Sequence, residues 1–147
     1  MSGSENICQN RKARHEYLVL DTIEAGIVLA GHEVKSLRQH HASLEGSYAQ
    51  IVGGEVWLIN CNIETYKFAS WTEPDPKRKR KLLLKKKQIK SFAEKGSQKG
   101  FTLVPLSLYF LNGRAKVELA VCKGKQEHDK RQSLKEKDAK REMRDDS

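Results

Sequence analysis

The chain has 147 residues, with 28 Lys/Arg against 19 Asp/Glu and a net charge of +9. That length holds one domain of ordinary size plus an appendage, with a core that needs no disulfide staple, and so basic a balance points to a polyanionic partner, nucleic acid or an anionic membrane surface, without dictating a fold. No apolar run approaches the length of a membrane-spanning helix, residues 1–9 have no apolar stretch of the kind that opens a signal peptide, and Cys8, Cys61 and Cys122 are odd in number and far apart, which predicts isolated thiols in a reducing cytoplasm.

In chain order, residues 1–14 are polar and predict a flexible N-terminal arm. Tyr17 to Ala30 reads as one long strand, bent or bulged near Gly26. His32 to His41 has Val34, Leu37 and His41 at helical spacing and predicts a short helix. Residues 47–52 and 55–61 flank Gly53-Gly54, a two-residue hairpin turn in which both positions can take positive φ without penalty. Residues 62–68 predict continued extended chain, broken by Glu73-Pro74-Asp75-Pro76.

Residues 75–99 carry eleven Lys/Arg against two acids, a net of +9 that equals the charge of the whole chain. Leu82, Ile89, Phe92, Ala93 and Gly96 share one helical face, which predicts a cationic helix with one apolar stripe, ended at Gly96. Three consecutive leucines, Leu82 to Leu84, cannot all face that stripe. Leu82 fits the core, and Leu83 or Leu84 either lies beside the cations, where it would pack on a ribose or an unstacked base, or is buried under a loop.

The firmest hairpin follows. Val104, Leu106, Leu108 and Phe110 alternate with other residues up to Asn112-Gly113, a type I′ turn signal, and Ala115, Val117, Leu119 and Val121 alternate after it. Pro105 argues for an edge or a bulge. From residue 123 onward nine Lys/Arg face seven Asp/Glu, with Leu134 and Met143 the only larger apolar side chains. This predicts a tail, 123–147, that is disordered alone and becomes helical on a partner. About six short strands and two helices predict an α+β, mainly β fold, a closed or partly open barrel over residues 15–122.

Catalysis finds no support. There is no G-x-S-x-G, Walker A loop or H-E-x-x-H, so no catalytic residues, cofactor, metal or small-molecule substrate are expected. His40-His41 as a metal pair is the weaker reading against two solvated polar residues, because adjacent helix residues point in different directions. A hydrolase using His15 or His32 is the remote alternative from another class. The run Lys77-Arg78-Lys79-Arg80-Lys81, extended by Lys85, predicts phosphate contact through counterion release. The membrane reading is weaker, since the apolar stripe of that helix is narrow and better used in the core. Glu24, an acid in an extended segment, is a candidate acceptor for a base edge or a 2′-hydroxyl.

Several ordered motifs carry a family resemblance: Asn10-Arg11-Lys12-Ala13-Arg14-His15-Glu16-Tyr17, Glu24-Ala25-Gly26, Glu33-Val34-Lys35-Ser36-Leu37-Arg38, Asp75-Pro76, Arg80-Lys81-Leu82-Leu83-Leu84, Leu106-Ser107-Leu108-Tyr109, and Lys123-Gly124-Lys125 followed by His128-Asp129-Lys130-Arg131. From about residue 10 to its end the chain resembles the SsrA-binding protein (small protein B) family. The resemblance implies an OB-like antiparallel six-stranded barrel with accessory helices. It implies binding to the tRNA-like domain of transfer-messenger RNA (tmRNA), and delivery of that RNA to stalled ribosomes for trans-translation. The tail is then expected to become helical in the empty mRNA channel, near the small-subunit decoding centre. Glu24 and Leu83 match the family's RNA-contact positions, and Lys85 stands where some members carry Asn or His. Asn10, Arg11 and Tyr17 match a second part of the RNA-facing surface, and His128, Asp129, Lys130 and Arg131 match the motif linked to decoding-centre contact. The alternative within the binding class is an OB-like RNA-binding or ribosome-associated protein without tmRNA specificity.

Overall fold

The computed structural model describes residues 4–64 and 75–124. Nine strands and three helices follow one another as β1 (Ser4–Gln9), α1 (Arg11–Glu16), β2 (Tyr17–Ile27), α2 (Gly31–Arg38), β3 (Ala42–Ser43), β4 (Tyr48–Val52), β5 (Glu55–Ile59), β6 (Asn62–Ile63), β7 (Arg80–Leu83), α3 (Lys86–Gly96), β8 (Phe101–Leu111) and β9 (Arg114–Gly124). Six strands close a ring, β8-β4-β5-β7-β2-β9 and back to β8, every pairing antiparallel. β1 adds to β8 outside the ring, and β3 pairs with β6 as a separate ribbon. The expected six-stranded barrel is present.

The β8–β9 hairpin is its backbone. Asn112 and Gly113 both take positive φ, 51° and 79°, the twist that a two-residue turn between right-twisted strands requires. Leu103, Leu108 and Phe110 of β8 and Val117, Leu119 and Val121 of β9 face the barrel interior, with Val56, Leu58 and Leu82 from other strands. Val104, Leu106, Ala120 and Cys122 face the other way, under Ala13 of α1 and Tyr17. A register shift between Pro105 and Ser107 lets both parities work, and Leu106 is the extra residue. Pro105, with no N–H to donate, is tolerated at this bulge.

Three expectations need correction. Of the arm expected over residues 1–14, residues 4–14 are not loose: β1 pairs with β8 over Ser4↔Leu111 to Gln9↔Ser107, and α1 begins at Arg11. β2 is irregular between Val19 and Asp21, not at Gly26. Gly26 is instead where β2 has a strand on both sides, paired with Lys116 of β9 and Leu83 of β7. The cationic helix begins only at Lys86, because residues 80–83 form β7. In that strand period two, not 3.6, sends Arg80 and Leu82 inward and Lys81 and Leu83 outward. The helix that remains contributes Phe92 and Ile89 to the barrel core. The expected extended stretch 65–68 lies outside the described residues, as does the tail from 125 onward.

Candidate nucleic-acid interface

Directly opposed strand residues share a face of the sheet, as do residues two apart on one strand. The registers Gly26↔Leu83, Gly26↔Lys116, Glu24↔Glu118, Tyr109↔Lys116 and Ser107↔Glu118 therefore put one set of side chains on the outer surface across β7, β2, β9 and β8. Glu24 and Glu118 stand opposite each other, an unfavourable like-charge pair. Each carboxylate has its own compensation. Glu24 Oε2 accepts from the Tyr109 hydroxyl at 2.6 Å. Glu118 Oε2 accepts from the Ser107 hydroxyl at 3.2 Å and lies 3.6 Å from Nη2 of Arg14. Burial, the hydrogen bond to Glu24 and the negative charges of Glu24 and Glu118 push the Tyr109 phenol well above its ordinary range, so it is a firmly protonated donor at neutral pH.

Beside this acceptor pair lies an apolar element. Leu83 is 52% exposed while its neighbour Leu82 is 1% exposed. Gly26 leaves the floor next to Leu83 open: a Cβ on Gly26 would come within 3.3 Å of the Leu83 Cβ. An open groove of about 290 Å³ runs from Gly26 and Leu83 past Phe110 to Arg114 and Lys116. The face thus combines carboxylate acceptors for base or 2′-hydroxyl donors, an exposed leucine for a sugar or base face, and cations at its margins, a mixture suited to reading RNA rather than merely attracting it.

The run 77–81 divides sharply. Lys77 and Lys79 are exposed, and among the described residues neither has an ion-pair partner. Lys81 Nζ lies 3.0 Å from Glu55 Oε1. Arg80 is 0% exposed; its guanidinium donates to Glu33 Oε2 at 2.6 Å, to the Cys61 carbonyl at 2.7 Å and to the Pro76 carbonyl at 2.9 Å. Arg78 donates to the other Glu33 oxygen at 2.5 Å. Arg80 as a phosphate contact is therefore corrected: its donors are consumed within the fold. Glu33, in the first turn of α2, also accepts the Ala30 N–H at 2.8 Å. Burial raises its carboxyl pKa, but the Arg78, Ala30 and Arg80 bonds outweigh that and hold it below the ordinary carboxylate value.

Asn10 is corrected in the same way. It is 4% exposed, its side-chain oxygen caps α1 at the Ala13 N–H, and its amide donates to the Leu44 and Pro105 carbonyls. It is a clip holding α1 against the β8 bulge, not a surface contact. Arg11 is exposed on α1, Tyr17 is half-buried at the start of β2, and Lys85 is exposed immediately before α3, where its N–H donates to the Gln88 side chain. His128, Asp129, Lys130 and Arg131 lie outside the described residues.

Tyr109, Glu118, Ser107 and Arg14 were not singled out by the sequence reading as site residues. For Ser107 and Tyr109 the signal was available in their alternation with Leu108, which puts both on the face away from the barrel core. His40 and His41 reach separate carboxylates, Glu5 at 2.9 Å and Glu64 at 3.3 Å. Among the described residues no cluster of three or more His, Cys, Asp or Glu is gathered that could hold a metal. Burial pushes the Cys8, Cys61 and Cys122 thiols up to about 11, 12 and 11. Among the described residues no helix is long and apolar enough to cross a membrane.

The family model described as "SmpB protein" matches residues 7–147. The "SsrA-binding protein" of Thermobifida fusca is 55% identical over 141 residues, covering 96% of this chain and 88% of that protein. The protein of the same description from Mycolicibacterium smegmatis is 53% identical over 142 residues, covering 97% and 88%. A solved structure described as "tmRNA-SmpB: a journey to the center of the bacterial ribosome" contains a chain 48% identical to this one, with a TM-score of 0.69 over 82% of this chain and 85% of that one.

Proposed function

This chain belongs to the SmpB protein family, and from that premise we propose that it binds the tRNA-like domain of tmRNA and carries it to stalled ribosomes for trans-translation. It works in the cytoplasm as an adaptor, through binding and not through chemistry of its own. The observation that carries the reading is the outer face on which Glu24, braced by Tyr109, lies beside the exposed Leu83. A purely electrostatic binder has no use for a held carboxylate next to a leucine, because the carboxylate repels phosphate and the leucine adds nothing to its attraction. On this reading Glu24 and Leu83 meet bases and sugars, while Lys77, Lys79, Lys85 and Arg11 supply phosphate contacts. Tyr17 and the paired Arg78 and Lys81 flank those cations. His128, Asp129, Lys130 and Arg131 act at the decoding centre; that assignment is supported by their match to the family motif.

A competition measurement at fixed salt tests this, setting a tRNA-like tmRNA fragment against unrelated structured RNA of equal length. Strong preference for the fragment is expected. Equal affinities would leave a general RNA-binding barrel without tmRNA specificity.

A further inference from the structure

A second surface lies on the barrel exterior across β7 from Glu24. The β4–β5 register Gln50↔Trp57 and Tyr48↔Ile59 puts these four side chains on one face, with Val52 two residues beyond Gln50. Val52 is 54% and Tyr48 40% exposed. Gln50, Val52, Trp57, Ile59 and Lys79 line an open groove of about 160 Å³ that is mostly apolar. β5 is hydrogen-bonded on both sides, to β4 and to β7, so its backbone offers no edge for strand addition by a peptide. The charge of Lys79 settles the sign of the partner. Lys79 lines the groove and Lys77 is exposed two residues before it, both without a carboxylate in ion-pair range among the described residues, while Lys81, opposite Trp57, is neutralised by Glu55. An aromatic ring, an amide and an unpaired cation lining one groove are what an unstacked base and its phosphate require.

We propose that this groove receives one nucleobase of a single-stranded RNA segment, stacked on Trp57 and held through its phosphate by Lys79. It rests on the RNA-binding reading above and extends it from the Glu24 face across β7 onto β5 and β4.

The test uses the full chain carrying Trp71→Phe, so that Trp57 is the sole indole. Its emission is followed at fixed salt during titration with hexaadenylate RNA, and with an abasic oligomer of the same backbone. The hexaadenylate is expected to quench Trp57 saturably; the abasic chain binds more weakly and leaves the emission unchanged. Trp57→Ala weakens hexaadenylate binding about tenfold, as the loss of one base stack implies. Trp57→Phe weakens it by about twofold, and Lys79→Gln lowers the salt slope by roughly one phosphate contact; both variants keep the test open should Trp57→Ala fold poorly. Equal binding of the two oligomers with unchanged emission would overturn the proposal. So would a Trp57 already shielded from acrylamide in the free chain, which would assign the groove to residues 65–74 or, if sedimentation shows a dimer, to a second copy. Affinity for the tRNA-like fragment is measured alongside: if it persists while the oligomers fail to discriminate, this inference falls and the function stands; if the unsubstituted chain shows no fragment preference, the function falls.

Discussion

The Tyr109 hydroxyl of β8 reaches over β9 to donate to Oε2 of Glu24 on β2, at 2.6 Å. Glu24 is exposed, and a free surface carboxylate samples several rotamers; one held by a phenol at one oxygen presents the other in a fixed direction. Tyr109 is therefore expected to act on RNA through Glu24. Tyr109→Phe should weaken binding of the tRNA-like fragment roughly fivefold, about 1 kcal/mol, with a change in folding stability no larger than that. The double-mutant cycle is the decisive measurement. Glu24→Ala with Tyr109→Phe should bind no more weakly than Glu24→Ala alone, and additive losses would mean that Tyr109 meets RNA independently.

The same contact carries a pH signature. A phenol whose folded pKa is raised favours the folded state while protonated, so its contribution is full below its unfolded value of about 10 and is lost as pH rises beyond that toward its raised folded value. Replacing Glu24 with Gln removes the charge at its bonding partner. The phenolate absorbance of Tyr109 should then appear at lower pH than in the unsubstituted chain. An unmoved titration would show that burial and Glu118, not Glu24, set the phenol.

Adjacent residues of one basic run should behave oppositely. Arg80→Ala strands Glu33, whose side chain is 1% exposed, without its buried partner, and is expected to destabilise the fold by about 3–5 kcal/mol in urea melts. Lys79→Ala should leave stability within about 0.5 kcal/mol while reducing the salt dependence of RNA binding. The depressed Glu33 carboxyl adds a sign: its contribution is present above its ordinary value of about 4.5 and lost as pH falls through its lower folded value. Acid destabilisation should be shallower in Glu33→Gln, which starts from a lower stability at neutral pH.

These contrasts also mark what the sequence could and could not reveal. The β8–β9 hairpin was legible because period-two alternation and Asn112-Gly113 agree. The seam at β7 was not, since a lysine-rich helix and a short strand both tolerate Lys and Leu, and the choice is made by tertiary pairing with β2 and β5. Buried Arg80 and Asn10 look on paper like surface contacts; only the convergence of Glu33, the Cys61 carbonyl and the β8 bulge makes them structural. β1 and α1 were missed because they bury little of their own, with Ile7 and Ala13 as their only buried apolar side chains. Glu24 and Leu83 were named as contact positions from the motifs, but that they share one outer face rests on the Gly26 pairings to both neighbours.

The leucine triplet offers a separation of stability from binding. Leu82 lies in the barrel core, and Leu82→Ala should cost about 2–5 kcal/mol through lost burial and the cavity left behind. Leu83→Ala removes an exposed side chain, so thermal melts should move little while affinity for the tRNA-like fragment falls. Gly26→Ala probes the same place with the Leu83 side chain still present, because the added methyl meets Leu83 Cβ at 3.3 Å and must shift it. A Gly26→Ala chain that melts normally and binds RNA normally would remove Leu83 from the interface.

Truncation separates the body from the tail. β9 remains paired to its last residue, with Gly124 opposite Tyr17, so the body reaches two residues beyond the boundary at 122 that composition predicts. A chain ending at Gly124 keeps every described strand pairing and the whole Glu24–Leu83 face. It should therefore melt like the full chain and bind the tRNA-like fragment with nearly unchanged affinity. The tail removed carries a net charge of only +1, eight Lys/Arg against seven acids over residues 125–147, so the salt slope of RNA binding should also stay nearly constant. Peptide tagging on stalled ribosomes should be lost, because His128 to Arg131 go with the tail. Loss of fragment binding on truncation would place part of the RNA interface beyond residue 124, and retained tagging would leave those four residues without the role assigned to them.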